Sequence, residues 1–127
     1  MFLLLISALV FPLASVDHEY RASVRARSQC EFATVRAAKQ QRLSFSQFEK
    51  RFDRACLDEA KRHRDLTKKR LMEERQMTAG EVRSYIAEQE AKVRRVILEG
   101  YRRNPNPRDD FRGYAPPPPP PPPPVRN

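Results

Sequence analysis

Arg42-Leu43-Ser44-Phe45-Ser46-Gln47-Phe48 lies midway between the two cysteines of the chain, Cys30 and Cys56. These seven residues carry the signals of a helix start. With Ser44 as N-cap, Gln47 falls at the third helical position. The serine hydroxyl then accepts from the Gln47 N–H while the glutamine side chain accepts from the Ser44 N–H. Leu43 before the cap and Phe48 after it are placed to form a hydrophobic staple. If one helix ends near Arg42 and another begins at Ser44, Cys30 and Cys56 stand at equal height on an antiparallel hairpin, thirteen residues from Leu43 on either side. A disulfide between them would stabilise the hairpin by roughly 3–4 kcal/mol in the chain-entropy account.

Working outward, a first helix is predicted from Asp17 to about Arg42. Val24, Ala26, Cys30, Ala33, Ala37 and Ala38 recur there at near-helical spacing, with Arg21, Arg25, Arg36 and Lys39 between them. The second helix is predicted from Ser44 to about Gln76. Its stripe is Phe45, Phe48, Phe52, Cys56, Ala60, His63 and Leu66, continued by Leu71 and Met72. Met77-Thr78-Ala79-Gly80-Glu81-Val82 then repeats the first start at an offset of 34 residues. Thr78 is the cap, Glu81 its capping-box partner, and Met77 and Val82 the staple. A third helix with a bend near Gly80 follows, carrying Val82, Ile86, Gln89, Val93, Val96 and Ile97. Asn104-Pro105 and Pro107 end it. The same offset is the tetratricopeptide period, but the aromatic and glycine positions of that repeat are absent, so no solenoid is inferred. Asp58–Arg62, Asp65–Lys69, Glu88–Lys92 and Glu90–Arg94 are i,i+4 pairs in the favourable order and mark solvated faces.

The two ends differ from this middle. Phe2 to Val16 is almost continuously apolar. A helix of that length rises about 22 Å, short of the about 30 Å hydrocarbon core. Residues 1–16 therefore read as a secretory signal peptide, with a retained membrane anchor over 2–16 as the alternative. Residues 104–127 read as a disordered Pro-rich tail. Pro116 to Pro124 is unbroken proline, a polyproline II rod that cannot join a packed core. Pro121, Pro124 and Arg126 fit the Pro-x-x-Pro-x-Arg form read by SH3 grooves, and a stiff spacer fits equally. Residues 17–103 remain as the helical domain, small enough to need a staple or a partner.

Composition narrows the function. Apolar residues are 39% and charged residues 32% of the chain, which excludes a large buried core. The net charge of +9 suits an anionic surface as partner. No nucleic-acid motif accompanies it, and export would remove the chain from cytosolic nucleic acid, so nucleic acid is not the expected partner. Export also makes Cys30 and Cys56 a structural disulfide. Cys56 and His63 share a helix face that Cys30 could meet, but a fourth zinc ligand and the paired spacing are missing. His63 reads as a boundary residue and His18 as a surface one. No nucleophile elbow, phosphate loop or His-Glu-x-x-His is present. The expectation is a non-enzyme with no cofactor, no metal and no small-molecule substrate. Phe45, Phe48 and Phe52 exceed what a thin monomer can cover and are the expected face for a homodimer or a protein partner.

Leu43-Ser44-Phe45-Ser46-Gln47 and Met77-Thr78-Ala79-Gly80-Glu81 resemble the Leu-Thr-x-x-Gln motif of periplasmic helical-hairpin proteins of the Spy/CpxP type. That resemblance implies an exported, basic, all-helical and often dimeric protein that acts as a chaperone or envelope-stress sensor. The chain departs from the type in being shorter, in its two cysteines and in its polyproline end, and no ligand-contact residues carry across. The expectation is therefore an all-α protein: an antiparallel helical hairpin plus a third helix, exported to the periplasm or secreted. It would act as a non-enzymatic protein-binding module. The alternative is a membrane-anchored structural or adaptor protein using its basic helices and polyproline tail.

Overall fold

The computed structural model describes residues 13–106, with side chains from Asp17 onward. Of the expected signal or anchor segment (1–16), residues 1–12 lie outside the described residues, as do residues 107–127 of the expected Pro-rich tail (104–127). The protein is all-α. Four helices follow in order: α1 (Leu13–Gln40), α2 (Phe45–Arg54), α3 (Leu57–Arg75) and α4 (Ala79–Arg103). Among the described residues there is no strand, and no helix is long and apolar enough to cross a membrane.

α1 contains neither glycine nor proline and begins at Leu13, four residues before the expected start at Asp17. Its end is built by backbone geometry. Arg42 takes the left-handed conformation at φ 51°. Leu43 N–H then reaches the Ala38 carbonyl and Arg42 N–H the Lys39 carbonyl, each at 3.1 Å. This is the Schellman arrangement, made without glycine. Both expected capping boxes form. Gln47 N–H donates to Ser44 Oγ at 3.2 Å, and Ser44 N–H to Gln47 Oε1 at 3.0 Å. Glu81 N–H donates to Thr78 Oγ1 at 3.2 Å, and Thr78 N–H to Glu81 Oε2 at 3.0 Å. Each box satisfies two N–H groups that the start of a helix leaves without partners.

The second predicted helix is two. α2 stops at Arg54, Ala55 is extended at ψ 155°, and Cys56 is left-handed at φ 58° before α3 begins. Nothing local demands this, since Arg54-Ala55-Cys56-Leu57 holds neither glycine nor proline. The break sits where the chain is tied to α1. The bend expected near Gly80 also lies elsewhere. Gly80 is in regular helix with open space around it, and the turn is made by Gln76 at φ 52°. All three helix joints thus turn on one left-handed, non-glycine residue.

Contacts between α1 and α3 run in opposite order along the two helices. Cys30 meets Cys56, Arg27 meets His63, and Asp17 meets Arg70, so the pair is antiparallel. α2 caps one end of that pair and α4 packs along α3 and α2. The main apolar cluster lies at the α2 end: Val35, Ala38, Phe48, Ile97, Leu98 and Tyr101 are buried, with Leu43, Phe45, Phe52 and Val93 packed around them. Phe48 has no exposed surface and stacks on Tyr101 at 4.0 Å between ring centroids. The Tyr101 hydroxyl donates to the Leu43 carbonyl, so α4 also holds the α1–α2 joint. Leu71 and Val82 are buried toward the α3–α4 joint.

A left-handed residue with a Cβ costs about 1 kcal/mol relative to glycine, partly offset by glycine's greater freedom when unfolded. Gln76 is exposed. Gln76→Gly should therefore raise the unfolding free energy by about 0.5–1 kcal/mol, read as a higher denaturation midpoint at unchanged slope.

Candidate functional site

The covalent centre of the molecule is Cys30–Cys56, with Cα atoms 5.9 Å apart and 26 residues between them in sequence. Thr34, one turn beyond Cys30, donates its hydroxyl to the Cys30 carbonyl at 2.9 Å and lies 3.7 Å from Cys56 Sγ. Glu59 brings a carboxylate oxygen to the same place, so that two sulfurs and one oxygen lie within 4.8 Å of one another. Joined to each other, the sulfurs offer no thiolate to a metal. His63 is not part of this group. It faces α1 one turn away and is engaged otherwise.

That engagement is a polar node between helices. Arg27, whose side chain is only 17% exposed, points from α1 into the contact with α3 and α4. Its Nε donates to Glu31 at 2.8 Å, and its Nη1 reaches both Glu90 Oε1 and His63 Nδ1 at 3.1 Å. Arg64 from α3 shares the same Glu90 oxygen at 3.0 Å. One guanidinium therefore links α1, α3 and α4. A guanidinium has no acceptor, so the contact to Nδ1 requires a lone pair there and a neutral ring protonated at Nε2. Burial and the charges of Arg27 and Arg64 push the His63 pKa down to about 4, against the pull of Glu90. Tyr20 packs on the His63 ring at 5.7 Å, and the Arg70 guanidinium lies 4.7 Å from the centroid of the Tyr20 ring.

Of the i,i+4 pairs read from the sequence, Glu88–Lys92 forms at 3.0 Å. Asp65 is taken by Lys61 at 2.8 Å. Glu90 goes to Arg27 and Arg64, and Arg94 crosses to α2, holding Asp53 through two bonds of 2.8 and 2.9 Å with Glu49 at 3.5 Å. The Arg94 contact holds the Asp53 carboxyl below its ordinary range. Glu90 and Arg94 follow tertiary proximity because an i,i+4 pair is worth only a few tenths of a kcal/mol.

Two shallow grooves flank α2. One, about 500 Å³, is lined by Leu43, Gln47, Lys50, Arg51, Arg54 and Ala55. The other, about 360 Å³, lies between α2 and α4 over Phe45, Ala91 and Leu98. Arg102 covers Phe45 there at 5.0 Å. The phenylalanine face expected to meet a partner is mostly spent inside the chain. Phe48 is fully buried, and Phe45 and Phe52 are half-buried against the same cluster. The reason is α4, whose Ile97, Leu98 and Tyr101 supply the cover.

The sequence pattern puts Glu90 on a solvated face beside Arg94 and gives Arg27 no role, yet a signal existed. Arg27 falls between Ser23 and Cys30 on the inward stripe of α1, and Glu90 between Ile86 and Val93 on that of α4. Opposite charges on two inward stripes mark a paired buried contact. Comparison with known proteins finds no matching family model, curated protein or solved structure.

His63 supplies a pH-dependent term. Its folded pKa of about 4 lies below the ordinary 6.5, so the unfolded chain binds the proton more tightly. The stabilisation is present above pH 6.5 and is lost as pH falls toward 4. The loss amounts to about 2 kcal/mol after allowance for residual hydration. His63→Gln keeps an acceptor for Arg27 but does not titrate. Its stability curve should lack this slope between pH 6.5 and 4.5, measured by urea unfolding at several pH values.

Proposed function

We propose that this chain is an exported, non-enzymatic helical module that binds other proteins, of the periplasmic chaperone or envelope-stress kind. The observation that carries the reading is the Cys30–Cys56 disulfide, because such a crosslink persists where the surroundings are oxidising. It closes a small helical domain whose own core is modest. Two groups suited to acid–base work, His63 and Glu90, are engaged structurally. His63 is held neutral by Arg27, and Glu90 bridges two arginines. What remains outward is a basic surface with two shallow, apolar-floored grooves, a form suited to loose contact with polypeptide rather than to enclosing a small molecule. The resemblance of the two capping boxes to the Leu-Thr-x-x-Gln motif points the same way. The oxidised protein should suppress aggregation of an unfolded client at near-stoichiometric ratio, followed by light scattering. No protection at about tenfold excess would sink the reading.

One observation favours the alternative, a membrane-anchored structural or adaptor protein. α1 runs without interruption through Leu13–Val16, where signal cleavage would fall. A retained apolar segment would then continue into the domain, with the basic helices beside an anionic surface and the polyproline tail free for a partner. This reading expects the chain to stay with membranes through a high-salt wash, whereas release as a soluble species removes it.

A further inference from the structure

We propose that the cationic groove beside α2 receives the head of α3 from a second copy of the same chain, the two copies being related by a two-fold axis. The groove has an apolar floor, Leu43 and Ala55, and three cationic linings, Lys50, Arg51 and Arg54. Among the described residues no acidic side chain lines it. Two residues beyond its last lining residue the chain presents the complement. Leu57 is 59% exposed, more than Met72 or Val96, and Asp58 beside it is exposed as well. Leu57 stands at this corner because Cys56 is left-handed and tied to Cys30, so α3 starts by turning away from α2.

An apolar knob with a carboxylate beside it thus adjoins an apolar-floored slot with a cationic rim. Within one chain the two cannot meet, because Ala55 and Leu57 are separated by a single residue held by the disulfide. A two-fold axis solves this. Each Leu57 enters the other copy's slot, and each Asp58 meets the other copy's Arg54 and Arg51, so both contacts form together. The charges set the register of the pair. The second groove is a poorer receptor for an acidic segment, because Glu99 lines it and its Arg94 already holds Asp53 and Glu49. The proposal goes beyond the client-binding reading and is independent of it, since the dimer would exist whether or not a client is held.

The test is sedimentation of the oxidised, purified chain over a concentration series. A reversible monomer–dimer equilibrium is expected. Leu57→Ser, Arg54→Glu and Asp58→Arg should each raise the dimer Kd by about tenfold or more, while thermal melting followed by circular dichroism shows the fold retained. A chain carrying both R54E and D58R should regain the dimer, because each new glutamate faces the partner's new arginine. A monomer at every concentration overturns the proposal. So does a dimer indifferent to the three single changes, or a charge-swapped chain that stays monomeric.

Discussion

One bond between α1 and the head of α3 governs where this chain can bend. Cys30 sits in the middle of an uninterrupted helix, so its position is rigid. Cys56 must come to it, with Cα atoms 5.9 Å apart. At that point the helical run from Phe45 divides into α2 and α3, with Cys56 left-handed between them. A straight helix would carry Phe48 and Phe52 along α1 in one line with His63. The bend instead frees α2 to cap the end of the α1–α3 pair and turns its aromatic face toward α4. The crosslink also removes entropy from the unfolded chain, worth roughly 3–4 kcal/mol for a loop of this length. In a domain with so few fully buried side chains, that is a large share of the total.

Packing then divides by chemistry along the bundle. At the α2 end the contacts are apolar, centred on Phe48 against Tyr101. Near the middle they are ionic, centred on Arg27. This ordering has a consequence for specificity. Apolar clusters tolerate sliding, whereas Arg27 needs Glu31, Glu90 and the neutral face of His63 at once. A guanidinium withdrawn from water without its acceptors would be strongly destabilising, so the node selects one register of α1, α3 and α4. The disulfide and the node lie one helical turn apart on α1 and both tie it to α3, the first covalently and the second by charge, while the node adds α4.

The same accounting shapes what the surface offers. Cations that face inward or across a joint, such as Arg27 and Arg94, are neutralised by carboxylates. Lys50, Arg51 and Arg54 instead line an open slot beside a leucine and an alanine. The net charge of +9 is therefore not evenly spread in its effect, because part of it is consumed in holding helices together. The part that remains near α2 is arranged around apolar surface, which is where attraction for an acidic, apolar segment is concentrated.

Helical class, two of the helix starts and the pairing of the cysteines were all legible in the sequence alone. Capping boxes at Ser44–Gln47 and Thr78–Glu81 are local devices: every donor and acceptor lies within four residues, so no distant contact is needed to form them. With two cysteines there is one intramolecular pairing. The tertiary structure decided the rest. Arg42, Cys56 and Gln76 turn the chain in a conformation their residue types do not favour, and only the packing of the helices they join makes up the cost. Glu90 and Arg94 leave each other for partners on other helices, because a few tenths of a kcal/mol cannot hold them together. Phe48 passed from expected partner face to core because α4 folds back over it, and no periodicity within α2 reveals where α4 will lie.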